Sequence, residues 1–246
     1  MINLRCAEFT VNLITTLMVY FFTISIAGAF RAWVASKMGD DTAKDAGFLT
    51  LNPFVHADLW GTILVCLTSF GWSKYIPINP HNIDGSVRSL GIRTGWRIPK
   101  LICAYLSDTA IYFGLALISL VTLIMIFGPF ILYVAPAMLI NRGMSHLILA
   151  HAFPSYSSLT IVVGFMLMVI TYLTIALGVL DGIINSCHLA LALCSDHSPE
   201  LEMHYGYLIL ILPIIIIMLF AASLRFLVTK SIILCGWLIA HILGLA

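Results

Sequence analysis

Apolar residues fall along this chain in long blocks, separated by two stretches where charge, glycine, asparagine and proline collect. The blocks at 9–35, 101–127, 159–180, 205–224 and 226–246 each approach or exceed the length of about 20 residues that a helix needs to cross hydrocarbon. The third continues without a strong break to 193, and Lys230 moves the effective start of the last to Ser231. Two shorter runs are less regular. The first, 59–72, suits either a tilted short span or a re-entrant segment; the second, 130–140, carries Pro136 just after Pro129 and reads as a broken or interfacial helix. The pattern predicts an all-α, polytopic membrane helix bundle of about six transmembrane helices. It forms a single integral-membrane domain over 1–246, with polar interfacial loops at 37–58 and 73–100. Within the second loop, residues 75–80 alternate apolar and polar side chains between prolines, as a short edge strand or an extended interfacial segment does.

Composition sharpens this picture. Hydrophobic residues make up 61% and charged residues 9% of the chain, against roughly 25% charged in soluble domains, so the lipid bilayer is its solvent. A net charge of +1 gives no basis for nucleic-acid binding. The six cysteines form no CxxC pair and lie mostly in apolar runs, where thiols act as small hydrophobes. The first apolar run outlasts a signal-peptide core of about 7–15 residues, and Glu8 stands where a positive flank belongs. It reads as a retained transmembrane helix. Loop 73–100 holds Lys74, Arg88, Arg93, Arg97 and Lys100 against Asp84 alone, so the positive-inside rule places it on the cytoplasmic side of a membrane whose identity is open. No internal repeat of the kind common in transporters is visible.

Several motifs carry a resemblance. Gly39-Asp40-Asp41-Thr42-Ala43 precedes Gly47-Phe48-Leu49-Thr50-Leu51-Asn52-Pro53-Phe54-Val55-His56-Ala57-Asp58, then Gly61-Thr62. Gly71-Trp72-Ser73-Lys74-Tyr75-Ile76-Pro77-Ile78-Asn79-Pro80 follows, and Leu180-Asp181-Gly182 sits in a later apolar block ahead of Tyr205-Gly206. Together these resemble the site-2 proteases, a family of intramembrane zinc metalloproteases, over about residues 20–225. The 39–80 block carries most of the specificity. The resemblance assigns Gly39, Asp40, Asn52, Pro53, His56, Asp58, Pro77, Asn79 and Pro80 to a family-matching loop, with His56 and Asp58 as loop architecture. It also implies that an HExxH helix should stand immediately before Gly39.

That helix lacks its chemistry. In register with the family motif, Ala27 replaces the first histidine, Gly28 the glutamate and Arg31 the second histidine. Zinc needs lone pairs from two histidines spaced i, i+4, and the glutamate serves as base toward metal-bound water. A methyl group, a hydrogen atom and an always-protonated guanidinium supply none of this. The family's AGP-x-x-N element is also lost, reading Ala104-Tyr105-Leu106-Ser107-Asp108-Thr109 here. Of the three ligands implied by the resemblance, only Asp181 has a counterpart, so no metal and no other cofactor is expected. The implied convergence of positions 31 and 181 suggests an Arg31–Asp181 ion pair in place of the metal, with snorkelling of Arg31 to the interface as the competing arrangement. Asp181, Asn185 and His188 share a helical face if the helix continues through Gly182, forming a polar stripe. Internal hydrogen bonding between packed helices is the simplest use for such a stripe.

Three functions follow as expectations. The leading one is a pseudoprotease: a non-catalytic, site-2-protease-like protein that binds or scaffolds another integral membrane protein as part of a larger membrane complex. Small residues such as Gly114, Gly164 and Gly178 would let helices approach closely. The second is a zinc metalloprotease with a non-standard site built from Asp181, His188 and a loop histidine such as His56. The third is a transporter or channel using the Asp181, Asn185 and His188 face.

Overall fold

A computed structural model of the protein describes residues 2–68, 70–83, 97–132, 134, 145–195, 215, 219, 223 and 226–244. The first apolar block, free of proline, becomes one helix, α1 (Ile2–Met38), longer at both ends than the hydrophobic run. It stops where Gly39 adopts φ +108°, a left-handed conformation that costs glycine little. There the Gly39 N–H donates to the Ser36 carbonyl at 3.1 Å and the Asp40 N–H to the Ala35 carbonyl at 2.9 Å, closing a Schellman cap.

Short elements fill the first polar loop and the short apolar run after it: α2 (Thr42–Asp45) and α3 (Pro53–His56), then α4 (Leu59–Thr68). Asn52 Oδ1 caps α3 by accepting from the Phe54 N–H at 3.1 Å, and Pro53 occupies a first-turn position that needs no donor. Asp58 Oδ1 accepts from the Gly61 N–H at 2.8 Å and starts α4. With 10 residues, α4 rises about 15 Å, half the ~30 Å of hydrocarbon. The chain then returns: Ala57 and Ser73 form an antiparallel bridge, and the Lys74 N–H donates to the His56 carbonyl at 2.8 Å. The 59–72 segment therefore doubles back on itself as a hairpin, the shape expected of a re-entrant segment. Residues 75–79 form no strand; the Asn79 N–H goes instead to Asp40 Oδ2 at 2.7 Å, and Pro77 has no N–H to offer.

The remaining apolar blocks give α5 (Arg97–Phe127), α6 (Ser145–Ala152), α7 (Ser158–Ser195) and α8 (Phe226–Ile242). Helix α7 runs unbroken through Gly182. Helices α5 and α7 form the main packed pair, and α1 lies against both. Tyr20 and Ile24 of α1, Tyr112 of α5, and Leu173 and Leu177 of α7 interlock at their shared centre. Gly178 lets Tyr112 and Phe113 approach α7, and Gly164 admits the Phe127 ring, whereas Gly114 faces open space and takes no part in helix packing. Among the described residues three helices, Phe9–Met38, Arg97–Phe127 and Ser158–Leu193, are long and apolar enough to cross a membrane. The architecture is an all-α membrane helix bundle of the multi-pass type. The span expected at 205–224, apart from 215, 219 and 223, lies outside the described residues, as do loop residues 84–96 and 135–140.

Candidate functional site

Where the long helices meet, one residue from each is tied into a single polar network. Arg31 of α1 and Asp108 of α5, each with a side chain 3% exposed, form an ion pair at 2.9 Å through Arg31 Nη1 and Asp108 Oδ2. Arg31 Nη1 also donates to Asn185 Oδ1 of α7 at 2.6 Å. Asn185 Nδ2 in turn donates to both oxygens of Asp108, at 3.1 and 3.0 Å. The Tyr105 ring, one turn before Asp108, covers the guanidinium at 5.8 Å. Each member of this triangle bonds to the other two, which offsets part of the cost of burying the charge, although Arg31 Nε and Nη2 are buried without a partner.

The ion pair expected between Arg31 and Asp181 is thus replaced by one with Asp108. Asp181 lies a helical turn before Asn185, at the level of the re-entrant loop, and its Oδ2 accepts from Ser73 Oγ at 2.9 Å. Ser73 is held there by its bridge to Ala57, and the preceding Trp72 carbonyl accepts from the Tyr20 hydroxyl at 2.7 Å. Asp108 was on view in the sequence as an acid within an apolar span, and such residues call for a named partner. Its distance of 77 positions from Arg31 hid the pairing.

The other degenerate positions have been refitted. Ala27 is fully buried in the Tyr20–Ile24–Leu177 cluster. At Gly28, a Cβ would collide with the imidazole of His56, so the ring occupies the space where a glutamate side chain would begin. His56 is buried, contacts the Phe48 ring at 5.8 Å, and places Nε2 2.8 Å from the Thr50 carbonyl, which fits an Nε2–H donor; its Nδ1 has no partner. Burial pushes its pKa below the ordinary value of 6.5, and the nearby Lys74 acts in the same direction against the Thr50 carbonyl.

The stripe on α7 divides its tasks. Asp181 meets Ser73, Asn185 joins the ion pair, and His188 stacks on Tyr75 with centroids 4.6 Å apart. Loop residues Asp40, Asn79 and Asn82 join 39–42 to 79–82: Asp40, fully buried, accepts from the Asn79 N–H and from Asn82 Nδ2 at 2.9 Å. Arg31, Ser73, Asp108, Asp181 and Asn185 line a cavity of about 230 Å³, together with Asp58 and Lys74.

These residues do not suit zinc. Among the described residues no three His, Cys, Asp or Glu side chains converge as a metal site, and Asp108 is already paired with a cation. His56 packs on the Phe48 ring and His188 on the Tyr75 ring, and neither imidazole lines the cavity, so the three-residue set of Asp181, His188 and His56 is not assembled here.

Fold and site define a multi-pass, all-α membrane protein whose long helices are pinned by a buried ion-pair network. Over 67 residues, 27% of its length, the chain is 51% identical to "Putative zinc metalloprotease YwhC" of Bacillus subtilis (strain 168). The matched stretch spans 29% of that relative's own length. This identity supports a site-2-protease-like relationship for part of the chain. No family model matches the chain, and no solved structure does.

Proposed function

We propose that this protein is a pseudoprotease: a site-2-protease-like membrane protein that has exchanged metal chemistry for docking, and that holds another integral membrane protein within a complex. One observation carries the reading. The position that the resemblance gives to a zinc-binding histidine is Arg31, and Arg31 is committed to Asp108 and Asn185. A cation fixed in that place repels a divalent metal and gives the three helices a fixed arrangement instead. The His56 ring over Gly28 supports the same reading, since it fills the place of the general base. A scaffold that keeps a helix-lined cavity and loses its chemistry retains the means to bind and not to cut.

The test is purification in mild detergent, followed by metal analysis and identification of co-purifying membrane proteins. Substoichiometric zinc together with a reproducible membrane-protein partner is expected. Stoichiometric zinc that disappears in Asp181→Ala, or recovery of this polypeptide alone and monodisperse, overturns the proposal.

A further inference from the structure

Away from the Arg31 network, the chain turns beyond the end of α5 and meets α8. The Leu132 N–H donates to the Pro129 carbonyl at 3.1 Å and the Ile131 N–H to the Gly128 carbonyl at 3.3 Å, so residues 128–132 form a tight turn. Gly236 of α8 lies against that turn, where a Cβ would strike the Leu132 side chain. Val228, Ile232 and Ala240 of α8 pack into the core, whereas Lys230, Leu234 and Trp237, spaced i, i+4, i+7, share an exposed face. Between this face and the turn runs a groove of about 830 Å³, lined by Pro129, Phe130, Leu132, Lys230, Leu234 and Trp237 with their neighbours. That volume falls within the range of roughly 300–1,000 Å³ found for small-molecule sites. None of these residues lines the cavity beside Arg31.

The lining decides the ligand. Among the described residues that form it, Lys230 is a cation, no carboxylate is present and the others are apolar. Lys230 Nζ lies 5.5 Å from the centroid of the Phe226 ring, a contact that brings no counter-charge. The ion pairs among the described residues are Arg31–Asp108 and Lys44–Asp41, and neither uses Lys230. An ammonium on a helix of this composition calls for an anion from outside the chain. Phe130, Leu234 and Trp237, each more than half exposed, call for hydrocarbon along the same groove. An amphiphile with an anionic head and an acyl tail meets both demands. A transmembrane helix of another protein would cover the apolar walls, yet it would have to carry an acid of its own to match Lys230. A zwitterionic lipid couples its phosphate to a cation, for which the groove offers no carboxylate.

We propose that the groove between the 128–132 turn and α8 binds an acidic phospholipid, with its phosphate on Lys230 and an acyl chain along Phe130, Leu234 and Trp237. This lipid site is independent of the docking function above.

Native mass spectrometry of the full-length protein in mild detergent counts bound lipids directly. Phosphatidylglycerol and phosphatidylcholine with matched acyl chains are titrated separately, and glycerol phosphate supplies the phosphate headgroup without chains. One phosphatidylglycerol is expected to bind saturably, about fivefold more tightly than phosphatidylcholine, the worth of one lysine beside an anionic headgroup. Lys230→Gln should bring phosphatidylglycerol down to the level of phosphatidylcholine, while Lys230→Arg and the distant, exposed Lys100→Gln keep the preference. Leu234→Trp, at an exposed position, should obstruct the groove and weaken both lipids. Glycerol phosphate should bind far more weakly than the intact lipid. Equal affinity for the two lipids, a preference that survives Lys230→Gln or vanishes equally in Lys100→Gln, or unchanged binding in Leu234→Trp overturns the lipid site. Glycerol phosphate as tight as the intact lipid also overturns it, leaving a surface cation only. A lipid-free dimer that dissociates in Leu234→Trp overturns it as well and gives the face to a second copy of the chain.

Discussion

Arg31 and Asp108 illustrate what a buried charge pair does in a membrane bundle. Desolvating two ions is expensive, and their attraction with the Asn185 hydrogen bonds mainly offsets that cost. Removing one partner exposes the asymmetry. Asp108→Leu should destabilise the protein by about 3–5 kcal/mol, because Arg31 then lies buried and unpaired. Arg31→Met with Asp108→Leu should recover most of that loss. Thermal unfolding in one detergent compares the three proteins, and a double variant no better than the single one removes the pair from the account. His56 makes a different prediction at the same scale. Its pKa is lowered in the fold, so below the ordinary value of 6.5 the unfolded chain takes up a proton that the folded chain refuses. Stability should fall as pH drops from about 6.5 toward the folded value, and His56→Gln should flatten that slope. An identical pH dependence in the two proteins assigns the effect elsewhere.

The re-entrant element is built on two glycines facing each other. A Cβ at Gly61 would strike the Trp72 carbonyl, and one at Gly71 would strike the Gly61 carbonyl and Val65. Only the absence of those Cβ atoms lets the returning segment lie on α4, which is how Ser73 reaches Asp181. Gly61→Ala must push backbone away from backbone, a strain of roughly 1–3 kcal/mol or more. It should also free residue 73: a cysteine placed there should label with a small thiol reagent faster in the Gly61→Ala background than in the wild-type one. Equal labelling rates would show that the glycine contact does not seat the loop. The neighbouring polar loop depends on Asp40, whose two oxygens hold Thr42, Asn79 and Asn82. Asp40→Ala leaves these donors unmatched and should cost about 2–4 kcal/mol at roughly 1 kcal/mol per net hydrogen bond. Its readout is faster proteolysis within 39–83, with the helices still protected.

Much of the architecture is legible in the sequence, because lipid imposes a coarse and strict rule: long apolar runs become helices. The three long helices lie within or around the expected runs, with ends that overshoot where polar residues continue the helix into the interface. The sequence of 59–72 fits two readings, since length alone does not distinguish a short span from a hairpin. Glycine-to-glycine contact at positions 61 and 71 settles it, and that contact depends on three-dimensional approach. Likewise Gly28, Arg31 and Asp181 stand out as residues, while the partners His56, Asp108 and Ser73 depend on how α1, α5 and α7 are rotated against one another. Periodicity gives a helix its faces without saying which neighbour each face meets.

That distinction bears on whether the lost chemistry is recoverable. Three substitutions, Ala27→His, Gly28→Glu and Arg31→His, rewrite the missing motif at the sequence level. In the folded chain each meets a refitted environment. An imidazole at 27 must enter a fully buried, close-packed cluster, and a carboxylate at 28 must displace the His56 ring. Histidine at 31 removes the cation that balances Asp108, leaving a buried carboxylate held by Asn185 and the Thr109 N–H. The triple variant should therefore bind substoichiometric zinc and unfold at a temperature at least several degrees below the wild type, by about 4–8 °C per kcal/mol in small domains and less in a chain of this size. Metal content and thermal unfolding of the same preparation measure both. One zinc per chain with an undiminished midpoint would mean that the scaffold still holds an intact metal cage in reserve, and that its loss of chemistry is confined to three side chains.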